Sequence, residues 1–235
     1  MRNKGKIVLI TGASSGLGKE LSEMLGKEGY TVWMCARNIR KLENVMKELQ
    51  KEGILCHSTK ADISNMEDVT RLYDEIMREY GKLDILVNNA GIGLFGLLEE
   101  INYLDIFKTI NINVIGTIYM TKKAVNIMKK QKYGTIVNII STAGKIPRAY
   151  ETVYVASKWA QRGFFESLKL ELKGSGIRVI NIYPGGMRTS FWNNYIWYVK
   201  DVSKFMDPKD VAAFILKVIE EENIWVDDVT INRPK

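Results

Sequence analysis

Short runs of unbroken apolar residues alternate along this chain with longer stretches in which apolar positions recur every three or four residues. The first run is "KIVLIT" (6–11), and Leu17, Leu21, Met24 and Leu25 then mark one face of a predicted helix. "YTVWMCA" (30–36) precedes Ile39, Leu42, Val45 and Leu49, and "ILCHSTKAD" (54–62) precedes Met66, Val69, Leu72 and Ile76. "LDILVN" (83–88), "GTIVNIIS" (134–141) and "IRVINIYPG" (177–185) continue the series, which "VTINR" (229–233) closes. Before that last strand, "DPKDVAAFILKVIEEE" predicts a helix with Asp207 as N-cap and Pro208 in its first turn. Strands apolar on both faces must be covered on both faces, so the alternation predicts a parallel sheet with helices on either side. Right-handed crossovers make this a doubly wound, Rossmann-type α/β sheet of about seven strands. A closed eight-fold barrel would need more strand–helix units than the chain holds. No linker, repeat or low-complexity segment interrupts the pattern, so residues 1–235 read as one domain.

Composition narrows the possibilities. The hydrophobic share of 46% is ordinary for a globular domain, and no apolar run approaches the ~18 residues of a membrane span. The apolar core of the opening "MRNKGKIVLITG" is too short for a secretory signal. A net charge of +7 raises nucleic acid as a partner. Yet the lysines alternate with glutamates at helical spacings, as in "KLENVMKELQKEG" (41–53), which is how a solvated helix face reads. Neither a nucleic acid nor a membrane partner is therefore expected, and the excess charge would help draw in an anionic small molecule. Cys35 and Cys56 have no metal or redox spacing and His57 is the single histidine, which predicts no metal site and a reducing cytoplasm.

The first strand runs directly into "TGASSGLG" (11–18). Gly12, Gly16 and Gly18, with Ser14, Ser15 and Leu17 between them, form a G-x-x-x-G-x-G loop, distinct in spacing from the G-x-G-x-x-G fingerprint. The physics is shared: small residues let backbone approach a pyrophosphate, and the following helix offers free N–H groups with partial positive charge. Farther along, Tyr154 and Lys158 in "YVASK" place a phenol and an ammonium one helical turn apart. Tyr119 and Lys123 have the same spacing, so the pair alone decides nothing.

The loop, "NNAG" (88–91), "NVIG" (113–116), Ser141, "YVASK" and "PGGMRT" (184–189) together resemble, in order and spacing, the short-chain dehydrogenase/reductase superfamily in its single-domain branch. The resemblance covers essentially the whole chain. It implies hydride exchange between a nicotinamide dinucleotide and a carbonyl or alcohol, with Asn113, Ser141, Tyr154 and Lys158 as the catalytic set. Ser141 would donate to the substrate oxygen, Lys158 would hold the nicotinamide ribose and lower the pKa of Tyr154, and Asn113 would hold a water in the proton relay. Asn111 competes with Asn113, and the "NVIG" spacing favours Asn113. Tyr119 and Lys123, with no such serine before them, read as an ordinary helix pair. Asp62 and Ile63 are expected beside the adenine, Asn89, Ala90 and Gly91 beside the adenosine ribose and pyrophosphate, and Pro184, Met187 and Thr189 beside the nicotinamide. Asn88 reads as a tie between neighbouring strands. Relatives that use NAD place Asp where this chain has Ala36, and the next residue is Arg37, whose guanidinium matches a 2′-phosphate. NADP(H) is the expected cofactor.

Residues 190–207 fall where the family carries a substrate lid, and Phe191, Trp192, Tyr195, Trp197 and Tyr198 make the segment strongly aromatic. A lid closing over an apolar carbonyl compound and aromatics packed on the domain or on another subunit both fit. Members of the family pair through the helices carrying Asn113 and Tyr154, so a homodimer or homotetramer is expected; Trp159, Gly163 and Phe164 on the second helix suit that contact or a core role. Besides a carbonyl reductase or alcohol dehydrogenase, a 3-oxoacyl thioester reductase and a non-catalytic NADP(H) sensor are the alternatives.

Overall fold

The computed structural model describes residues 3, 5–221 and 223–234. Each apolar run forms a strand: β1 (Ile7–Thr11), β2 (Thr31–Ala36), β3 (Cys56–Lys60), β4 (Ile85–Asn88), β5 (Gly134–Ile139), β6 (Ile177–Pro184) and β7 (Asp228–Ile231). All pairings are parallel, and the order is β3-β2-β1-β4-β5-β6-β7. The helices between them are α1 (Gly16–Lys27), α2 (Ile39–Lys51), α3 (Met66–Tyr80), α4 (Tyr103–Ile110), α5 (Thr117–Gln131), α6 (Thr152–Glu171) and α7 (Pro208–Glu220).

Alternation along the strands divides the core in two. Val8 and Ile10 of β1 face α1, α2 and α7, where Leu21, Leu42 and Ile215 are fully buried. Ile7 and Leu9 face the opposite way, toward Leu72 of α3, Met120 of α5 and Phe165 of α6. Each such side chain contributes roughly 1.5–3 kcal/mol on burial, which explains why β1, flanked on both sides, has no exposed residue. Asp207 caps α7 by accepting from Lys209 N at 2.9 Å, with Pro208 at the first position, as the sequence predicts. Met66 departs from its predicted place on the apolar face. It opens α3 and stays exposed, and the buried face of the helix begins at Val69.

Polar groups tie the strands together as well. Asn88 Nδ2 donates to Asn138 Oδ1 at 2.9 Å, Asn138 Nδ2 to Asn181 Oδ1 at 3.0 Å, and Asn181 Nδ2 to Glu166 Oε1 at 3.0 Å. The three asparagines occupy the same register in β4, β5 and β6, so each amide finds its partner without a bend in the sheet. Buried amides left without partners would cost about 1–3 kcal/mol each. Asn88 thus has the strand-tying role its sequence predicts.

Candidate functional site

Strand order reverses between β1 and β4, and the loops leaving their carboxyl ends part there. A cavity of about 1150 Å3 opens at that point. On its wall stand Gly12, Ser14, Ser15, Gly16 and Leu17 from the glycine loop, Arg37 after β2, and Asp62 and Ile63 after β3. Asn89, Ala90 and Gly91 follow β4, Ser141 follows β5, Tyr154 and Lys158 come from α6, and Pro184, Met187 and Thr189 end β6. Two predicted residues are not on the wall. Gly18 lies behind it, and Asn113 is wholly buried. Tyr119, of the rival pair, packs on the second core cluster along α5 and does not reach the cavity.

Gly18 is needed for closeness rather than contact with a ligand. A Cβ there would sit 2.5 Å from Asn89 Nδ2 and 2.6 Å from Gly12 O, distances that no side chain tolerates. Gly12 adopts φ +67, and a Cβ on it would press Ala90 Cα at 2.9 Å. The loop is pinned from both sides: Gly12 N donates to Cys35 O at 2.8 Å, and Asn89 Nδ2 donates to Thr11 O at 2.8 Å. The Asn89 amide therefore secures the loop. At the start of α1, Ser15 is extended and makes no side-chain cap, so the first N–H groups of the helix stay open toward the cavity. Asp62 is partly committed, since its Oδ1 accepts from Ser64 N and Oγ at 2.9 and 2.6 Å. Arg37 is exposed at the cavity rim and makes no hydrogen bond or ion pair among the described residues.

The polar centre lies between β5 and α6. Ser141, two residues beyond β5, takes φ 138 and ψ 156, a conformation nearly confined to glycine that costs about 1–3 kcal/mol. Its Oγ accepts from Ala143 N at 3.1 Å and stands near enough to the Tyr154 phenol to favour its ionised form. Burial pushes the Tyr154 pKa up to about 12, although the Ser141 hydrogen bond pulls the other way. Lys158 is equally enclosed, and burial lowers its pKa to about 7. Its Nζ lies 5.8 Å from the Tyr154 ring centroid, 2.9 Å from Gln161 Oε1 and 3.4 Å from Ile139 O.

Asn113 belongs to a single π turn, Asn111–Gly116, set between α4 and α5. Its side chain is fully engaged: Oδ1 accepts from Ile92 N at 2.9 Å, and Nδ2 donates to Ile92 O at 2.9 Å and to Ser157 Oγ at 3.0 Å. Its backbone carbonyl accepts from Gln161 Nε2 at 2.6 Å and Thr117 Oγ1 at 2.8 Å. The side chain and the carbonyl of Asn113 are thus both engaged by groups of the chain itself.

Across the cavity, aromatic rings gather around Phe95. Tyr195 lies 4.6 Å from it by centroids, Tyr198 5.2 Å, Tyr154 5.4 Å and Trp192 5.5 Å. The 190–207 segment is laced down by Trp192 Nε1 to Met187 O (3.0 Å) and Tyr195 Oη to Gly93 O (2.6 Å). Tyr198 Oη donates to Glu151 Oε1 at 2.8 Å. The aromatics thus pack on the body of the protein and line the cavity at once. Trp197 does not line it: it is exposed, edge-on to Tyr150. Glu151 is buried, with Oε2 lacking any hydrogen bond and standing 3.7 Å from Arg148 Nη1.

Comparison with known proteins agrees with this geometry. The sequence model of the family described as short chain dehydrogenase matches residues 6–196. The chain belongs to that family. Sepiapterin reductase of Chlorobaculum tepidum is 32% identical over 237 residues, covering 97% of this chain and 96% of its own length. 3-Ketodihydrosphingosine reductase of Bacteroides thetaiotaomicron is 34% identical over 221 residues, covering 92% of this chain and 77% of its own. The alcohol dehydrogenase of the archaeon Thermococcus sibiricus, solved with 5-hydroxy-NADP, superposes with a TM-score of 0.89 at 26% identity, covering 98% of this chain and 99% of that one. As a short-chain dehydrogenase, the protein is an oxidoreductase of a family that binds nicotinamide cofactors.

The dehydrogenase departs from the sequence reading at its centre. There Lys158 is expected to lower the Tyr154 pKa, but burial governs both groups and raises it. Phe95, Arg148, Glu151 and Gln161 escaped that reading. Phe95 and Glu151 carried no signal before the loops were placed. Gln161 did carry one, a polar residue on the buried face of α6 shared with Ser157, Phe165 and Leu168.

The buried ammonium sets a pH dependence. Lys158 has its folded pKa below its unfolded value, so between about 7 and 10.5 the unfolded chain binds the extra proton and stability rises with pH. Lys158→Met should therefore be more stable than the wild type near pH 6. That advantage should shrink above pH 7 by at most about 1.4 kcal/mol per pH unit. Urea unfolding of both proteins at several pH values between 6 and 9 checks this; a constant difference would show that Lys158 is not the group responsible.

Proposed function

We propose that the protein is an NADP(H)-dependent carbonyl reductase or alcohol dehydrogenase in which Tyr154 is the general acid for reduction and the general base for oxidation. One observation carries the reading: the Tyr154 phenol, the Ser141 hydroxyl and the Lys158 ammonium share a cavity wall with the glycine loop. The residues fit a dinucleotide. Gly12 and Gly16 leave room for close approach, the start of α1 offers unpaired N–H groups, and Gly91, Pro184 and Thr189 continue the same wall. A bound nicotinamide supplies the two-electron chemistry. The chain's part is to hold a carbonyl and manage one proton. Ser141 donates a hydrogen bond to the substrate oxygen and stabilises the charge that develops on it. The Tyr154 O–H bond breaks as the new alcohol O–H forms, and the Lys158 cation offsets the charge left on the phenolate.

Arg37 supports NADP(H) over NAD(H), because the free guanidinium follows Ala36, where an acidic side chain would repel a 2′-phosphate. The Thermococcus sibiricus enzyme with its bound 5-hydroxy-NADP supports the same choice. Phe95, Phe191, Trp192 and Tyr195 favour an apolar carbonyl compound. Among the described residues, no helix is long and apolar enough to cross a membrane, and the free thiols Cys35 and Cys56 suit a reducing cytoplasm. Exposed Tyr103, Leu104 and Phe107 on α4, with exposed Trp159 on α6, favour a homodimer or homotetramer built on those helices.

Tyr154→Phe is expected to lower turnover of a ketone or aldehyde by at least about 10²–10⁴-fold while NADPH affinity, read by fluorescence titration, stays nearly unchanged. Retained turnover would remove Tyr154 as the acid. Arg37→Asp should weaken NADPH binding about tenfold or more and leave NADH binding little changed, since a charge-assisted phosphate contact of about 1.5–3 kcal/mol is lost. Equal effects on the two cofactors would refute the assignment. Light scattering should give a mass at least twice 26.8 kDa, and a Phe107→Glu variant should lower it.

A further inference from the structure

Gln161 lies one turn beyond Lys158 on α6 and is 4% exposed. Its Oε1 accepts from Lys158 Nζ at 2.9 Å, while its Nε2 donates to Asn113 O at 2.6 Å and to Thr117 Oγ1 at 2.9 Å. The amide can face only one way. Thr117 spends its own hydrogen on Asn113 O, so both groups on that side are acceptors toward Gln161. A flipped amide would set N–H against the ammonium and oxygen against two oxygens. The π turn assists, because its backbone leaves the α-helical register and the Asn113 carbonyl receives two side-chain donors.

We infer that Gln161 is the positioning residue for Lys158: a fixed amide that links the ammonium to the Asn113 carbonyl and keeps it charged and aimed at Tyr154. The inference rests on the reading of Lys158 as the cation that serves Tyr154. Its physical basis is the shortage of other partners. Among the described residues, the remaining acceptor of Lys158 Nζ is Ile139 O, at a long 3.4 Å. The groups facing the ammonium from other elements are that carbonyl of β5, Ser141 beyond it, Gly91 after β4 and Asn113 of the π turn, and all are uncharged. Tyr154, on the same helix, is the titratable neighbour, and among the described residues no carboxylate acts on Lys158 to oppose the effect of burial. A buried cation keeps its proton only where hydrogen bonds favour the charged form. Gln161 provides the shortest of them. A bound water at that place exchanges with solvent, whereas an amide held by α6 cannot leave.

The test uses two variants of the full chain, Gln161→Met and Gln161→Glu. Methionine keeps the length and volume of the side chain and removes both hydrogen bonds. Glutamate keeps the acceptor and adds negative charge. The readout is the NMR titration of the Lys158 Cε/Hε signal in protein labelled at lysine, identified by its loss in Lys158→Met. Gln161→Met should lower the titration midpoint by about one pH unit and Gln161→Glu should raise it by at least as much. The basic limb of kcat/KM for carbonyl reduction should move in the same two directions. If methionine prevents folding, the glutamate variant alone decides by the rise of its midpoint. Folded variants with an unshifted Lys158 midpoint, whatever their melting temperatures, would overturn the inference and leave Gln161 a packing residue. The titration needs no turnover, so an inactive protein would count against the proposed reaction without touching this result.

Discussion

A single hydroxyl holds the seam on which the site depends. Thr11, the last residue of β1, accepts through Oγ1 from Asn89 N and Ala90 N, both at 2.9 Å, and reaches Val87 O at 3.3 Å. β1 and β4 are neighbours here, but the chain leaves them in opposite directions, so the seam has unpaired backbone on each side. Thr11 satisfies that backbone and sets how closely the glycine loop and the "NNAG" loop approach. Asn89 fastens the same seam from the other strand through its amide. Gly12 and Gly18 follow from this closeness, since any side chain on either would strike the Asn89 or Ala90 segment. The glycines are consequences of the seam as much as devices for a ligand.

The parts of this arrangement that depend on local sequence were legible before the structure. Strand runs, helix faces, the Asp207 cap, the glycine loop and the ordered motifs each rest on neighbours within a few residues. They placed all but Gly18 and Asn113 of the expected site residues on the cavity wall. What was illegible depends on long-range packing. Phe95 sits in a loop without periodicity, yet it meets rings from α6 and from the 190–207 segment. Glu151, just before α6, is met by Tyr198 from far along the chain. The π turn was invisible for another reason. One extra residue in a helix leaves no compositional mark, and it reveals itself by what its carbonyl touches.

The charge balance at the centre was the largest departure, and its cause is solvent exclusion. Spacing alone says that an ammonium at i+4 should pull a phenol toward ionisation. That holds where the cation is charged and close. Here the rings of Phe95, Phe191 and the 190–207 segment on one side, and α6 packed on the sheet on the other, remove water from both groups. Desolvation penalises each charged form separately, and at 5.8 Å from the ring the attraction between them does not offset it.

This bears on the direction of the chemistry. A phenol that keeps its proton up to about pH 12 is a donor throughout neutral solution and a poor acceptor. Donation suits a carbonyl receiving a hydride, while alcohol oxidation needs the phenolate. On the proposed function, the site therefore holds Tyr154 ready to give up a proton. Lys158, with its pKa held near 7, is poised so that a small electrostatic change fixes its charge. An incoming group with phosphates and ribose hydroxyls brings negative charge and acceptors, and so raises the proton affinity of Lys158 where Gln161 already holds it. On the proposed function, full charge on the lysine would then coincide with an occupied site, so that the cation stabilising the phenolate would be assembled where the proton is to be given up.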